Sequence, residues 1–294
     1  MNHLLQYFVV VFLAWLAKIL PIEVATWIAR RAGDLSFLIL GKRRRIALEN
    51  LDKAFGGTLS RKRKWQIARS AFQSASLSMV ELFIVEKVKK EASRRFTMIG
   101  NENLEEAFLK QKGVVLVISH LGSWEYLSFL PFFTRRPWSV VVKEIKNPYL
   151  DKAINEMRRV MTVTPVEKLS SVRTILQQLK QGHGIAILID QWAGDEGLWV
   201  NFLGTETSTT SIPARLAEKT GCALIPGYCL RRSAGHYEIH LEKAIVPNIG
   251  QTDWENATTQ RLNEALEKQI LEYPEQWLWG HRRWKEKPDT LRDA

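Results

Sequence analysis

From Leu4 to Leu20 the chain reads as an almost unbroken apolar run, interrupted only by Gln6 and Lys18. Pro21 ends that run, and Ile22 to Leu40 follows as a second, amphipathic stretch containing Trp27. Between Ser60 and Val88 apolar positions recur at spacings of three and four, among them Trp65, Ile67, Ala68, Ala71 and Phe72. That period predicts one or two helices, with Ser60 as N-cap. From Gly100 onward the pattern changes. Short β-branched runs at Val114–Ser119, Ser139–Val142, Ile185–Asp190 and Ala223–Ile225 predict strands. A further pair is expected at Tyr228–Arg232 and His236–Val246, turned through Ser233, Ala234 and Gly235. Between them, helices are expected at Leu104–Lys110, Tyr126–Phe133, Tyr149–Met161, Ser171–Lys180, Pro213–Lys219 and Asp253–Glu272. Alternating strands and helices predict an α/β fold: a mixed, mostly parallel sheet flanked by helices.

This pattern divides the chain into a hydrophobic membrane anchor over 1–40, a basic helical segment over 41–99 and an α/β catalytic domain over 100–294. With 294 residues, 46% of them apolar, the chain can bury a real core, which excludes wholesale disorder. The formal charge of +11 is concentrated: between Arg30 and Lys64 stand 11 basic and 3 acidic residues. A basic block beside an apolar segment fits anionic lipid headgroups or an acidic partner better than nucleic acid. The 17-residue apolar run is marginal for crossing a bilayer, which takes about 20 residues, and ample for lying in its interface. No basic residue precedes it and no small-residue cleavage site follows, so a secretory signal is not expected. An uncleaved anchor or transmembrane helix with its basic side cytoplasmic is the expectation. Cys222 and Cys229 are too few for a disulfide framework and sit among apolar neighbours, as core residues do.

The most informative stretch is Val114-Val-Leu-Val-Ile-Ser-His-Leu-Gly-Ser-Trp-Glu125. A buried strand runs straight into His120, and active sites of open α/β sheets gather at the carboxyl ends of strands. On a regular helix, residues five apart do not share a face. His120 and Glu125 therefore meet only if His120 is still extended and Glu125 lies in the first turn of the next helix. The carboxylate would then fix the imidazole tautomer and leave the other nitrogen as a general base. The competing reading is a capping histidine beside a solvated glutamate. Ser119 lies in no nucleophile elbow, so direct transfer to an acceptor hydroxyl is the chemistry suggested. His236 and His240 share a strand face but have no cysteine or acid placed beside them, and no metal site is expected. No glycine-rich phosphate loop follows a strand, so no nucleotide cofactor is expected either.

His-x4-Glu after a hydrophobic strand resembles the motif of glycerolipid acyltransferases. The rest resembles one branch, the bacterial late acyltransferases of lipid A biosynthesis. The motifs run in order: Arg43-Arg44-Arg45, Glu49-Asn50-Leu51, His120 to Glu125, Lys146-Asn-Pro-Tyr-Leu-Asp151, Asp190-Gln191, Val200 to Gly204, Pro213 to Ala217 and Pro274 to Trp284. The resemblance implies a glycerolipid-acyltransferase-like fold with an N-terminal anchor helix. It implies transfer of a fatty acyl group from an acyl-carrier protein, or coenzyme A, to a hydroxyl of a lipid A precursor. It implies a bacterial inner-membrane location with the catalytic domain on the cytoplasmic side, and neither metal nor cofactor. His120 matches the family's catalytic histidine and Glu125 its acidic partner. Arg158 falls at a functionally important arginine, assigned to acceptor phosphate or oxyanion, and Asp190 is placed in the acceptor pocket. Lys143 stands where family members often carry Arg, and a lysine cannot make the same two-pronged contact, which leaves the acceptor headgroup open. Other acceptors (a lysophospholipid, an amino lipid, a mannosylated lipid) and a non-catalytic lipid-binding protein are the alternatives. The Arg61-Lys-Arg-Lys64 run is read as a solvated helix start or a dock for an acidic carrier.

Overall fold

The computed structural model describes residues 3–110, 112–167, 171–247 and 252–287. Six helices come first: α1 (His3–Ile19), α2 (Ile22–Ile39), α3 (Gly41–Phe55), α4 (Arg61–Phe83), α5 (Val85–Lys90) and α6 (Ala92–Arg95). Pro21 separates α1 from α2, since the residue before a proline is pushed out of the helical region. Ser60 caps α4 as expected, its side chain accepting the Arg63 N–H at 3.2 Å. The α/β part follows as β1 (Phe96–Ile99), α7 (Asn101–Leu109), β2 (Val114–Ile118), a 3-10 turn at Trp124–Phe129, α8 (Leu130–Thr134) and β3 (Trp138–Val142). Then come α9 (Pro148–Val160), β4 (Thr164–Glu167), α10 (Ser171–Lys180), β5 (Gly184–Leu188), β6 (Leu198–Phe202) and β7 (Thr205–Thr209). Last are α11 (Ile212–Thr220), β8 (Ala223–Ser233), β9 (His236–Leu241), α12 (Trp254–Glu272) and a 3-10 turn at Pro274–Gln276.

Seven strands form one sheet in the order β1-β9-β8-β2-β5-β3-β4. The five from β8 to β4 are mutually parallel, while β9 runs against β8 and carries β1 with it. β2 sits centrally, all five of its residues buried, as a parallel strand covered on both faces must be. Its alternate side chains feed two cores: Val114, Leu116 and Ile118 on one face, Val115 and Val117 on the other. The expected α/β class thus stands. Tyr228–Arg232 is not a separate strand but the continuation of Ala223–Ile225 into one long β8, and β9 ends at Leu241, short of Val246. β1, β4 and the β6–β7 hairpin carry no strong run of their own and were not expected.

The transmembrane helix needs correction. Among the described residues no helix is long and apolar enough to cross a membrane. Seventeen residues of α1 extend about 25 Å at 1.5 Å per residue, short of a hydrocarbon core about 30 Å thick. α2 carries Glu23, Arg30, Arg31 and Asp34. Large apolar side chains are nevertheless exposed on both helices, including Phe8, Phe12, Trp15 and Ile19 of α1 and Trp27, Leu35, Leu38 and Ile39 of α2.

Candidate active site at the carboxyl edge of the sheet

His120 stands two residues past the end of β2, at a bend, and Asp190 two residues past the end of β5, at another. The two strands pair in register, Ile118 opposite Leu188, so both side chains emerge at the same height. The Asp190 carboxylate accepts three hydrogen bonds. The His120 backbone N–H and the Trp277 indole N–H both reach Oδ2 at 2.8 Å, and His120 Nδ1 reaches Oδ1 at 2.8 Å. Asp190 is 2% exposed. Burial alone would raise its pKa. The charge and hydrogen bonds of His120, joined by the Trp277 indole, overcome that and hold it down at about 2. The imidazole's burial likewise opposes protonation, but the Asp190 carboxylate and the more distant Glu125 charge prevail, so the His120 pKa lies above its ordinary value. With Nδ1–H given to Asp190, Nε2 keeps a lone pair and accepts from the Gln191 side-chain amide at 3.3 Å. The Trp124 indole packs edge-on against the ring, centroids 5.2 Å apart.

The expected pairing of His120 with Glu125 is therefore replaced at Nδ1. Glu125, in the 3-10 turn, is held by Arg158 of α9: Nε donates to Oε2 at 3.0 Å and a terminal nitrogen to Oε1 at 2.7 Å. Both side chains are mostly buried, and Arg158 also donates to Asn155 Oδ1 at 3.0 Å. The register of β2 against β5 explains the switch, because it sets His120 beside Asp190, whose carboxylate takes both the His120 backbone N–H and Nδ1. Arg158 is accordingly engaged with a carboxylate and is not free to hold a phosphate. Burial works against its charge, yet Glu125 keeps its pKa above the usual value.

The loop between His120 and the 3-10 turn is fixed from below and behind. Gly122 has φ +62°, and a Cβ there would lie 2.1 Å from the Cys229 carbonyl oxygen, so only glycine fits. The Gly122 N–H donates to the Gln276 carbonyl at 3.0 Å, the Ser123 N–H to the Cys229 carbonyl at 2.8 Å, and the Leu278 N–H to the His120 carbonyl at 3.2 Å. Beneath the loop lies a buried ion pair, Arg231–Glu81. Arg231 also donates to Ser74, Ser78 and the Gly122 carbonyl. Arg283, fully buried, donates to the carbonyls of Gln191 and Ser208 and to Thr209 Oγ1.

A cavity of about 440 Å³ opens at this edge. His120, Trp124, Glu125, Arg158 and Gln191 line it, and it continues down both faces of the sheet. One chamber is walled by Ile118, Leu127, Val140, Val142 and Ala186, the other by Ile187, Ile175, Leu176, Ile212 and Leu216. Lys143, Arg215 and Lys219 also line it. Burial pushes the Cys222 thiol up to about 11 and the Cys229 thiol higher still, so neither is a ready thiolate.

Sequence reasoning found His120, Glu125, Arg158, Asp190 and Lys143, and all five border or occupy this site. It did not find Gln191 or the Glu81–Arg231 pair as contributors. Gln191 was within reach, since the run Ile185–Ile189 ends at Asp190-Gln191 as the run Val114–Ser119 ends at His120.

A model of the family described as "Bacterial lipid A biosynthesis acyltransferase" matches residues 1–286. The chain is 26% identical over 279 residues to the lipid A biosynthesis palmitoleoyltransferase of Escherichia coli (strain K12), covering 93% of this chain and 89% of that one. It is 24% identical over 282 residues to the lipid A biosynthesis lauroyltransferase of the same organism, covering 94% and 90%. A phosphatidylinositol mannoside acyltransferase of Mycolicibacterium smegmatis is 24% identical over 192 residues, covering 64% and 62%.

Proposed function

Because the chain belongs to the bacterial lipid A biosynthesis acyltransferase family and is an acyltransferase, we propose that His120 is its general base. The reaction is transfer of a fatty acyl group from an acyl-carrier-protein or coenzyme A thioester to a hydroxyl of a lipid A precursor. His120 Nε2 takes the hydroxyl proton as the alcohol oxygen attacks the thioester carbonyl carbon. Asp190 stabilises the imidazolium that forms. The carbonyl oxygen becomes an oxyanion, and the Gln191 amide beside Nε2 is placed to donate to it. Collapse expels the thiolate, which takes the proton from imidazolium, leaving an ester and a thiol. The single observation that carries this reading is His120 with Nδ1 locked by Asp190 and Nε2 turned to the mouth of a two-chambered apolar cavity.

The acceptor's phosphates have natural partners in Lys143, Arg215 and Lys219, which line the cavity and meet no acidic side chain among the described residues. The exposed apolar faces of α1 and α2 suit half-insertion into the cytoplasmic leaflet of the inner membrane, with the basic start of α3 (Lys42 to Arg45) near anionic headgroups. The three proposed sub-regions (anchor 1–40, basic helices 41–99, catalytic part 100–294) follow the same division of labour. The test is purified protein with acyl-carrier-protein thioesters and a lipid A precursor: an acylated product by mass spectrometry, abolished in His120→Ala, is expected. Full transfer by folded His120→Ala would overturn the mechanism. Transfer only to a mannosylated lipid or a lysophospholipid would reassign the acceptor.

A further inference from the structure

The names of the E. coli relatives specify different acyl chains, so family membership leaves chain length open. The chamber under His120 has a floor. Trp138, the first residue of β3, is buried there, and its indole lies across β5 at Gly184. A Cβ on Gly184 would come within 2.2 Å of that ring, so β5 carries glycine where the indole passes. The ring is held from two sides. Its Nε1–H donates to Thr134 Oγ1 at 3.0 Å, and Phe108 packs edge-on behind it with centroids 5.7 Å apart. Directly above, Val140 pairs with Ala186, whose single methyl leaves the shaft open between floor and mouth.

We propose that Trp138 is the specificity-determining residue for acyl-chain length, its indole stopping the far end of the acyl group. This rests on the acyl-transfer reading above. The depth follows from register: Trp138 is level with Gly184, and Ile118 is level with Leu188, two residues short of His120 and Asp190. Six residues of chain, the last two past the strand, separate Gly184 from Asp190, about 20 Å at about 3.3 Å per residue. Contact with the ring face removes about 4 Å, leaving about 16 Å. A hydrocarbon zigzag with bonds of about 1.5 Å at about 111° advances about 1.25 Å per carbon. The shaft therefore holds a chain of about 13 carbons, which places the preferred donors at about 12 to 14. Each buried methylene contributes about fourfold in binding, about 0.8 kcal/mol. A chain two carbons too long gains nothing from the added pair and must distort the floor or leave its carbonyl short of His120.

The experiment offers the wild-type protein an equimolar mixture of acyl-carrier-protein thioesters from C8 to C18 with a lipid A precursor, and reads product chain lengths by mass spectrometry. Wild type should transfer C12 to C14 in preference to C16 and C18. Trp138→Ala opens the shaft toward Phe108 by about four carbons and should raise the C16-to-C12 product ratio at least tenfold. Ala186→Leu fills the shaft two residues above the floor and should raise the C8-to-C12 ratio at least tenfold. It also decides the matter if Trp138→Ala does not fold. A profile unmoved in an active variant, or a wild-type preference for C16 to C18, overturns the assignment of the floor while leaving the transfer mechanism standing. No transfer of any chain by wild type refutes the acyl-transfer reading, and this inference with it.

Discussion

Asp190→Asn removes one charge from the centre of the site with almost no change of volume, which makes it the sharpest test of the geometry. The wild-type carboxylate accepts two bonds at Oδ2 and one at Oδ1, all at 2.8 Å. An asparagine presents one oxygen and one NH2. If its oxygen keeps the His120 and Trp277 N–H groups, its NH2 faces Nδ1, which must then become an acceptor. The proton moves to Nε2, the nitrogen needed as base, and the wrong tautomer is fixed. The carboxylate's pKa, at about 2 against an ordinary 3.8, stands about 1.8 lower. At about 1.4 kcal/mol per pKa unit this is a net stabilisation of about 2 kcal/mol, with His120 the largest influence that lowers the value. Without that charge, burial is left as the main influence on the imidazole, whose pKa should drop below 6.5. Activity should drop about 10³- to 10⁴-fold, by analogy with the same substitution in serine proteases. The acid limb of kcat/KM should move to lower pH. A pH profile of steady-state transfer, with an NMR titration of His120, reads both effects. Glu125→Gln is the contrast: it breaks the bidentate bond to Arg158 but leaves Nδ1 on Asp190, so the His120 pKa should drop only modestly. If Asp190→Asn retains a tenth of wild-type activity with an unmoved acid limb, while Glu125→Gln shifts it strongly, then Glu125 and not Asp190 governs the imidazole.

Glu81→Ala strands the Arg231 guanidinium in the core and should cost about 3–5 kcal/mol, read by chemical denaturation, whereas replacing both members by Leu and Met should cost far less. Stability should also depend on pH through Asp190. Its native pKa is depressed, so its contribution is complete above the unfolded value of 3.8 and is lost as pH falls toward about 2, an effect of about 2 kcal/mol that Asp190→Asn should abolish in acid titrations. His120 acts in the opposite sense: its raised pKa stabilises the fold below pH 6.5, and that contribution fades as pH rises through the native value. Phe12→Glu with Trp15→Glu should cut co-sedimentation with anionic phospholipid vesicles by at least tenfold while leaving the melting temperature unchanged, since both side chains are exposed. Unaltered sedimentation would argue against these helices as the lipid-binding surface.

Sequence made the central strands legible because β2 and β5 are buried on both faces and must be written as continuous β-branched runs. His120 and Asp190 were visible for the same reason, each at the tip of such a run. Their partnership was not, because it depends on register between β2 and β5, and register is not written in either strand alone. Glu125 looked like the partner because it was near in sequence and stood at the acidic position of the His-x4-Glu motif. Trp138 lies just outside the expected strand Ser139–Val142, and nothing local says that Gly184 lies beneath its ring. Edge strands β1 and β4, four residues each and partly exposed, are too short and too mixed to announce themselves.

The tail after α12 reaches back to three parts of the site: Gln276 to the Gly122 N–H, Trp277 to Asp190, and Leu278 to the His120 carbonyl. During synthesis, then, a nascent chain that has already emerged through β8 still lacks the indole that secures Asp190 and the backbone that braces the histidine loop. The proposed transfer chemistry therefore arrives only once residues 276–278 have left the ribosome, so products truncated before Gln276 should be inert even where the sheet itself has folded.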